Sequence, residues 1–210
     1  MSGAGPLPAL SGLANRYSAM RHGQSKANAA GIIVSRIETD QAGDYGLTAA
    51  GRDQALAAAR ASGLPADTVI CSSDFARARQ TAELVRTSLG AEQVLVAAEL
   101  RERCFGDWEG TSAANYQRVW AADEAGEGQA SGIEPAAAVL GRAAALVAAL
   151  EARYAGREVL LVSHGDTLQI LQAGFAGVDP ARHRQLPHLA TAEIRRLEPD
   201  AGAGPSAAAR

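Results

Sequence analysis

Residues 159–167 read Val-Leu-Leu-Val-Ser-His-Gly-Asp-Thr. Four consecutive apolar residues run directly into a histidine, a glycine and a polar turn. An unbroken apolar run of this length suits a strand covered on both faces, as in a parallel sheet, and Thr167 is expected to start a helix. The stretch AMRHGQS, residues 19–25, repeats the design, with Tyr17 to Met20 as the strand. Two histidines, His22 and His164, therefore stand at strand ends, each followed by a glycine that permits a sharp turn and close approach of a ligand.

The same alternation continues along the chain. Thr48 caps an alanine-rich helix expected to reach Ala61. Thr68 to Cys71 is a short strand, and Asp74 is placed to cap a helix with Phe75, Ala78, Ala82, Val85 and Leu89 on one side. Val94 to Val96 forms a third strand. Pro135 opens a long helix, and Glu193 to Leu197 is expected as a last, edge strand. Strands alternating with helices predict an α/β fold, a three-layer sandwich around a mostly parallel sheet. Residues 111–134 break the rhythm and are read as a small helical and loop excursion over the active-site edge. One domain is expected over residues 14–198, with loose tails at 1–13 and 199–210.

Composition narrows the function. With 20 Lys+Arg against 23 Asp+Glu, the net charge of −3 offers no field for nucleic acid or an anionic membrane. Lys26 is the lone lysine, so arginine carries nearly all the positive charge. Cys71 and Cys104 have no metal-ligand spacing and are read as reduced thiols. No signal peptide or membrane span is evident, so a cytoplasmic location is expected.

In open α/β sheets ligands bind beyond the carboxyl ends of the strands. There the sequence places His22, His164, Arg21 and, in the first turn of the helix after Cys71, Arg77 and Arg79. Guanidinium groups at a helix start oppose its dipole unless an anion is bound. Two histidines and several arginines converging there suit a phosphoryl group, whose oxygens the arginines hold while one imidazole attacks phosphorus. The rival readings are a structural histidine for His22 and a solvated helix residue for Arg77. A metal site of His22, His164 and Asp166 is unsupported by any HxH, HExxH or cysteine pair, so no metal and no cofactor are expected. His183 and His188 lack a strand-end context and are expected at the surface or on a binding rim.

Four blocks, RHGQSKAN, SSDFARARQTAE, LRERCFGDWEG and LLVSHGDT, resemble in order those of the histidine phosphatase superfamily, in its phosphoglycerate-mutase-like branch. The resemblance runs from about Tyr17 to Leu197. It implies that His22 is a nucleophile that becomes phosphohistidine and that Arg21, Arg77 and a protonated His164 complete a phosphate pocket. It implies further that Asn28 is an auxiliary polar contact and Glu102 the proton donor. From spacing alone Glu99, Asp107 and Glu109 are equal candidates for that acid, and an ion pair with Arg101 or Arg103 is the alternative for Glu102. Asp74 stands where the family commonly has proline. The Phe-Thr-Gly-Trp motif usual after the first block in phosphoglycerate mutases is absent, which argues against a mutase.

The expectation is a metal-independent phosphatase acting on a small phosphorylated metabolite. The alternatives are a phosphoglycerate-type phosphomutase and an inactive relative that binds phosphorylated ligands. Ile32 to Val34, Tyr116 and Trp120 are candidates for walls or a lid above the phosphate, or for simple packing beneath the loop.

Overall fold

The computed structural model describes residues 10–127 and 132–198. Its strands are β1 (Arg16–Arg21), β2 (Val69–Ser72), β3 (Val94–Val96), β4 (Glu158–Ser163) and β5 (Ile194–Leu197). They form a sheet of order β3-β2-β4-β1-β5, with the first four parallel and β5 antiparallel to β1. The apolar run at 159–162 is thus the sheet's central strand, and all four of its side chains are fully buried. Period-two alternation sends Val159 and Leu161 to one face and Leu160 and Val162 to the other.

The helices are α1 (Lys26–Ala30), α2 (Ile37–Ala42), α3 (Ala49–Ala61), α4 (Ala76–Leu89), α5 (Tyr116–Ala125), α6 (Ala136–Arg153) and α7 (Gly165–Phe175). Helices α3 and α4 cover one face of the sheet through Ala55, Ala59, Ala78, Ala82 and Val85. Helices α6 and α7 cover the other through Val139, Leu140, Val147, Leu168 and Leu171. This is the three-layer sandwich expected. Burying each such leucine or valine contributes roughly 1.5–3 kcal/mol. Strand β5 exposes arginines along the sheet edge, and Arg196 pairs with Glu158, a charged edge that discourages further strand addition.

Helix starts differ from expectation in two places. Thr48 does cap α3, its hydroxyl accepting from Gly51 N at 3.0 Å. Asp74 does not cap α4, because its carboxylate is drawn into a bidentate pair with Arg101 at 2.6–3.1 Å. Phe75 is the N-cap residue, and the free N–H of Ala76 is taken by Asp40 Oδ2 at 2.8 Å, from α2, 36 residues away. Helix α7 begins at Gly165, two residues before Thr167, with His164 at its N-cap.

Of the two expected tails, residues 1–9 and 199–210 lie outside the described residues. Leu10 corrects the inner boundary: it is buried against the α6–α7 face. A Cβ at Gly174 would stand 3.0 Å from its Cδ1 and 2.4 Å from Leu140 Cδ1, so the bare glycine makes the room.

Among its described residues the excursion holds one short 3₁₀ turn (Ala113–Asn115) and α5. Phe105, Val119 and Ile133 close a small satellite core with Ile33. Ile33 N donates to Thr111 O and Gly110 N to Ile33 O, which ties the excursion to the 32–36 loop.

Candidate active site

Parallel pairing sets Arg21 opposite Ser163, and His22 N continues the ladder to Ser163 O at 2.9 Å. His22 and His164 therefore leave adjacent strands at one level, with ring centroids 5.2 Å apart in an edge-on arrangement. On the other side of β4, strand β2 ends level too, with Ser73 N donating to Val162 O at 3.0 Å. Helix α4 then delivers Arg77 into the same space, while Arg79 points to solvent. Gly23 owes its identity to packing rather than to a ligand: a Cβ there would lie 2.3 Å from Gly51 O at the start of α3.

The tautomer of His22 follows from its partners. Its Nδ1 is 2.7 Å from Gly23 O, which only accepts, so Nδ1 carries the hydrogen. Arg77 Nε donates to Nε2 at 3.2 Å, so Nε2 presents a lone pair. Burial, then the charges of Arg77 and Arg21, hold the imidazole pKa well below its usual 6.5, and the ring is neutral. Arg77 is itself buried and braced by Val34 O at 2.8 Å and Asp40 Oδ1 at 3.4 Å, with its guanidinium 4.7 Å from the Phe75 ring centre.

His164 corrects an expectation. Its Nε2 stands 2.9 Å from Ser73 Oγ, and its Nδ1 is buried without a hydrogen-bond partner. Burial, then Arg77 and His22, push its pKa well below 6.5, so the ring is neutral rather than protonated in the free protein. A bound dianion opposes that shift, because it offsets the guanidinium charges. Arg21 Nε is likewise buried and unpartnered, while its NH1 donates to His188 Nε2 at 2.7 Å and Leu189 O at 3.1 Å.

Glu102 is buried on the cavity wall with Arg21, His22 and Arg77. Its Oε1 accepts from Arg103 N at 3.0 Å and from Thr167 N and Oγ1 at 3.2 Å each. Neither neighbouring arginine pairs with it: Arg101 binds Asp74, and the fully buried Arg103 binds Asp123 at 2.5 and 2.9 Å. Burial first, and then Asp166, raise the Glu102 pKa above the usual carboxyl value. The other acids of the stretch are placed elsewhere. Glu99 and Asp107 are exposed, and Glu109 clamps Ser35 N, Ser35 Oγ and Arg36 N. Asn28 also lines the cavity, but its Oδ1 accepts from Ser25 N and Oγ at 3.0 Å, capping α1.

Four supporting residues had no signal in the sequence. Asp40 and Ser73 brace Arg77 and His164 from different segments. His183, expected at the surface, is buried, with Nε2 2.9 Å from Asp166 Oδ1 and Nδ1 2.8 Å from Pro180 O. Asp166 is no free ligand either: Trp120 Nε1 at 2.7 Å and Arg103 NH1 at 3.3 Å also take its oxygens. Burial pushes its pKa up, but His183 and Arg103 outweigh that and hold it below the usual value. Among the described residues no group of three or more His, Cys, Asp or Glu side chains is arranged to hold a metal ion. Burial pushes the Cys71 thiol up to about 12, and both cysteines are free thiols.

The remaining walls are Ile32, Val34, Tyr116 and Trp120, whereas Ile33 packs into the satellite core. Trp120 is sandwiched, with Tyr116 stacked at 5.5 Å on one side and the Arg184 guanidinium 3.7 Å from its ring centre. It lines the cavity with these two neighbours packed against its ring. His188 sits on the rim, as expected. No helix among the described residues is long and apolar enough to cross a membrane.

Known proteins resemble this chain over most of its length. The model of the histidine phosphatase superfamily (branch 1) matches residues 18–207. Glucosyl-3-phosphoglycerate phosphatase of Mycobacterium tuberculosis is 32% identical over 176 residues, covering 77% of this chain and 75% of the relative. A metal-independent phosphoserine phosphatase of Arabidopsis thaliana is 28% identical over 171 residues, 75% of this chain and 69% of the relative. Among solved structures, mycobacterial glucosyl-3-phosphoglycerate phosphatase in complex with VO3 superposes with a TM-score of 0.73 at 30% identity, covering 85% of this chain and 90% of that one. With paired strand-end histidines, buried arginines and a match over nearly its whole length, the chain belongs to branch 1 of the histidine phosphatase superfamily.

Proposed function

We propose that this chain hydrolyses the phosphomonoester of a small phosphorylated metabolite through a phosphohistidine on His22. The observation that carries the reading is the His22 tautomer: Nε2 bears its lone pair toward the Arg77 guanidinium, where a phosphoryl group would be held. The named activities of the relatives, on glucosyl-3-phosphoglycerate and phosphoserine, support a small phosphorylated substrate.

In the first step His22 Nε2 attacks phosphorus in line with the ester oxygen. The N–P bond forms as the P–O bond breaks, and the departing oxygen takes the proton of Glu102. Arg21, Arg77 and His164 hold the equatorial oxygens, and the guanidinium groups supply the positive charge that a metal ion provides in other phosphoryl-transfer sites. In the second step water attacks phosphorus, gives its proton to the Glu102 carboxylate and displaces His22 Nε2, releasing inorganic phosphate. The raised Glu102 pKa suits the first role, since the group starts the cycle as an acid. Asn28 offers an amide at the wall as an auxiliary contact.

The test is a panel of small phosphomonoesters with excess EDTA, run on the wild type and on His22→Ala, with alkaline quenching, which preserves the acid-labile N–P bond, to look for a phosphorylated protein. Free phosphate formed by the wild type alone, with phosphate on His22, is expected. Turnover that survives in His22→Ala, or that EDTA abolishes, would sink the reading. Accumulation of an isomeric phosphoglycerate in place of free phosphate would make the chain a mutase.

A further inference from the structure

Behind Trp120 and His188 of the cavity wall lies Arg184, a guanidinium that the two-step chemistry leaves unused. His188 lies between two arginines. Arg21 NH1 donates to His188 Nε2 at 2.7 Å, and a guanidinium only donates, so Nε2 accepts and Nδ1 carries the hydrogen. Arg184 NH1 stands 3.5 Å from that same Nδ1. Two N–H donors thus face each other with no acceptor between them, and an oxygen anion beside them is the partner that suits both.

Arg184 is held for such a task. Its guanidinium lies on the Trp120 ring at 3.7 Å and NH1 also donates to Gln169 Oε1. Trp120 is pinned in turn by Asp166. Among the described residues no carboxylate pairs with Arg21 or Arg184. Asp166 is committed to His183, Trp120 and Arg103, and Glu193 to Arg195 and Ala190 N. Burial lowers the pKa of Arg184; Asp166 offsets part of that from beyond ion-pair distance, and Arg21 lowers it again.

We infer that Arg184 and His188 form a second anion subsite beside Arg21, so that the preferred substrate carries a second anionic group a few bonds from its phosphoryl ester. The inference rests on the phosphatase reading for turnover, but the subsite itself is a matter of binding.

Two pairs of esters test it. In the first pair, 3-phosphoglycerate and glycerol 3-phosphate differ by a carboxylate in place of a hydroxymethyl group. In the second, fructose 1,6-bisphosphate and fructose 6-phosphate differ by a second phosphoryl group. The expected result is a kcat/KM preference of roughly tenfold or more for the member with the second anionic group in at least one pair, the size of one charge-assisted hydrogen bond. Which pair shows it identifies the anion. Arg184→Gln should bring that ratio close to one, and Arg184→Lys should keep part of it. Should Arg184→Gln fail to fold, His188→Gln, at an exposed position, carries the same test. No preference in either pair, or one that both glutamine variants leave intact, overturns the inference. Calorimetric Kd ratios for the same pairs on His22→Ala separate the two readings. A preference in binding without turnover by the wild type would retain the subsite and remove the phosphatase.

Discussion

Arg77 Nε donates to His22 Nε2 across 3.2 Å, so the cation that would hold the phosphoryl group also selects which imidazole nitrogen faces it. One guanidinium from the α4 start fixes the tautomer of a ring at the end of β1. Arg77 carries this double duty only because Val34 O and Asp40 hold its other nitrogens.

Replacing Arg77 by lysine keeps the charge and loses the planar fork. A fall in kcat of ~100-fold or more is expected, by comparison with loss of a single donor at other electrostatic sites. Steady-state kinetics against the wild type measure it. A loss under threefold would remove Arg77 from the chemistry.

Asp40 is the less visible half of that support. Asp40→Ala leaves the buried Arg77 without its carboxylate and Ala76 N without its acceptor. The expected cost is about 3–5 kcal/mol of stability, the usual penalty for breaking a buried pair, together with reduced kcat. Denaturant unfolding and kinetics on the same sample check both. Unchanged stability would mean that the pair is dispensable.

Glu102 as proton donor matters only where the leaving oxygen needs a proton. Glu102→Gln should cost roughly 10²–10⁴-fold in kcat/KM, which reports the first step alone, on an alkyl phosphate and far less on p-nitrophenyl phosphate, whose phenolate leaves unaided. In the wild type the acid form persists above the usual carboxyl value of 4.5 because burial raises its pKa. Alkyl-phosphate turnover should therefore decline as pH rises through that raised value, while nitrophenyl turnover declines less. Equal losses on both esters would contradict the assignment.

The buried imidazoles make stability depend on pH. His22 and His164 have depressed folded values, so between those values and 6.5 the unfolded chain binds more protons than the folded one. Each ring then lowers stability as pH falls, by about 1.4 kcal/mol per pH unit at most. Above 6.5 neither contributes. His22→Asn should gain in Tm relative to the wild type as pH drops from about 6.5. A difference in Tm that stays flat with pH would show that His22 titrates normally.

Gly23→Ala tests the packing beneath the nucleophile. The added methyl would meet Gly51 O at 2.3 Å, and backbone cannot yield as a side chain does. A loss of about 1–3 kcal/mol is expected, with reduced kcat as His22 is displaced. Wild-type kinetics in the variant would show that the contact between the turn after β1 and the start of α3 relaxes at no cost to the site.

What can be read from residues 159–167 is local and periodic. The apolar run, the histidine and the glycine predict a buried strand ending in a turn, and repetition of that pattern near Met20 and Cys71 predicts the sheet. His22, His164, Arg21 and Arg77 were legible because strand ends in a parallel sheet share one edge, whatever lies between them in the chain. Glu102 was singled out only by the family resemblance, and burial now separates it from Glu99, Asp107 and Glu109. Asp74 misled for a related reason: it has the chemistry of a cap, but Arg101, 27 residues on, binds it more fully.

Sequence by itself therefore determined the layered architecture and the strand-end groups, since hydrophobic periodicity and turn chemistry act between near neighbours. Tertiary structure alone decided the tautomer of His22, the neutral state of His164, the burial of His183 and the pairing of Arg77 with Asp40. Each depends on charges and carbonyls brought within a few ångströms by packing from distant segments, where burial strengthens every electrostatic term and no sequence spacing records the approach.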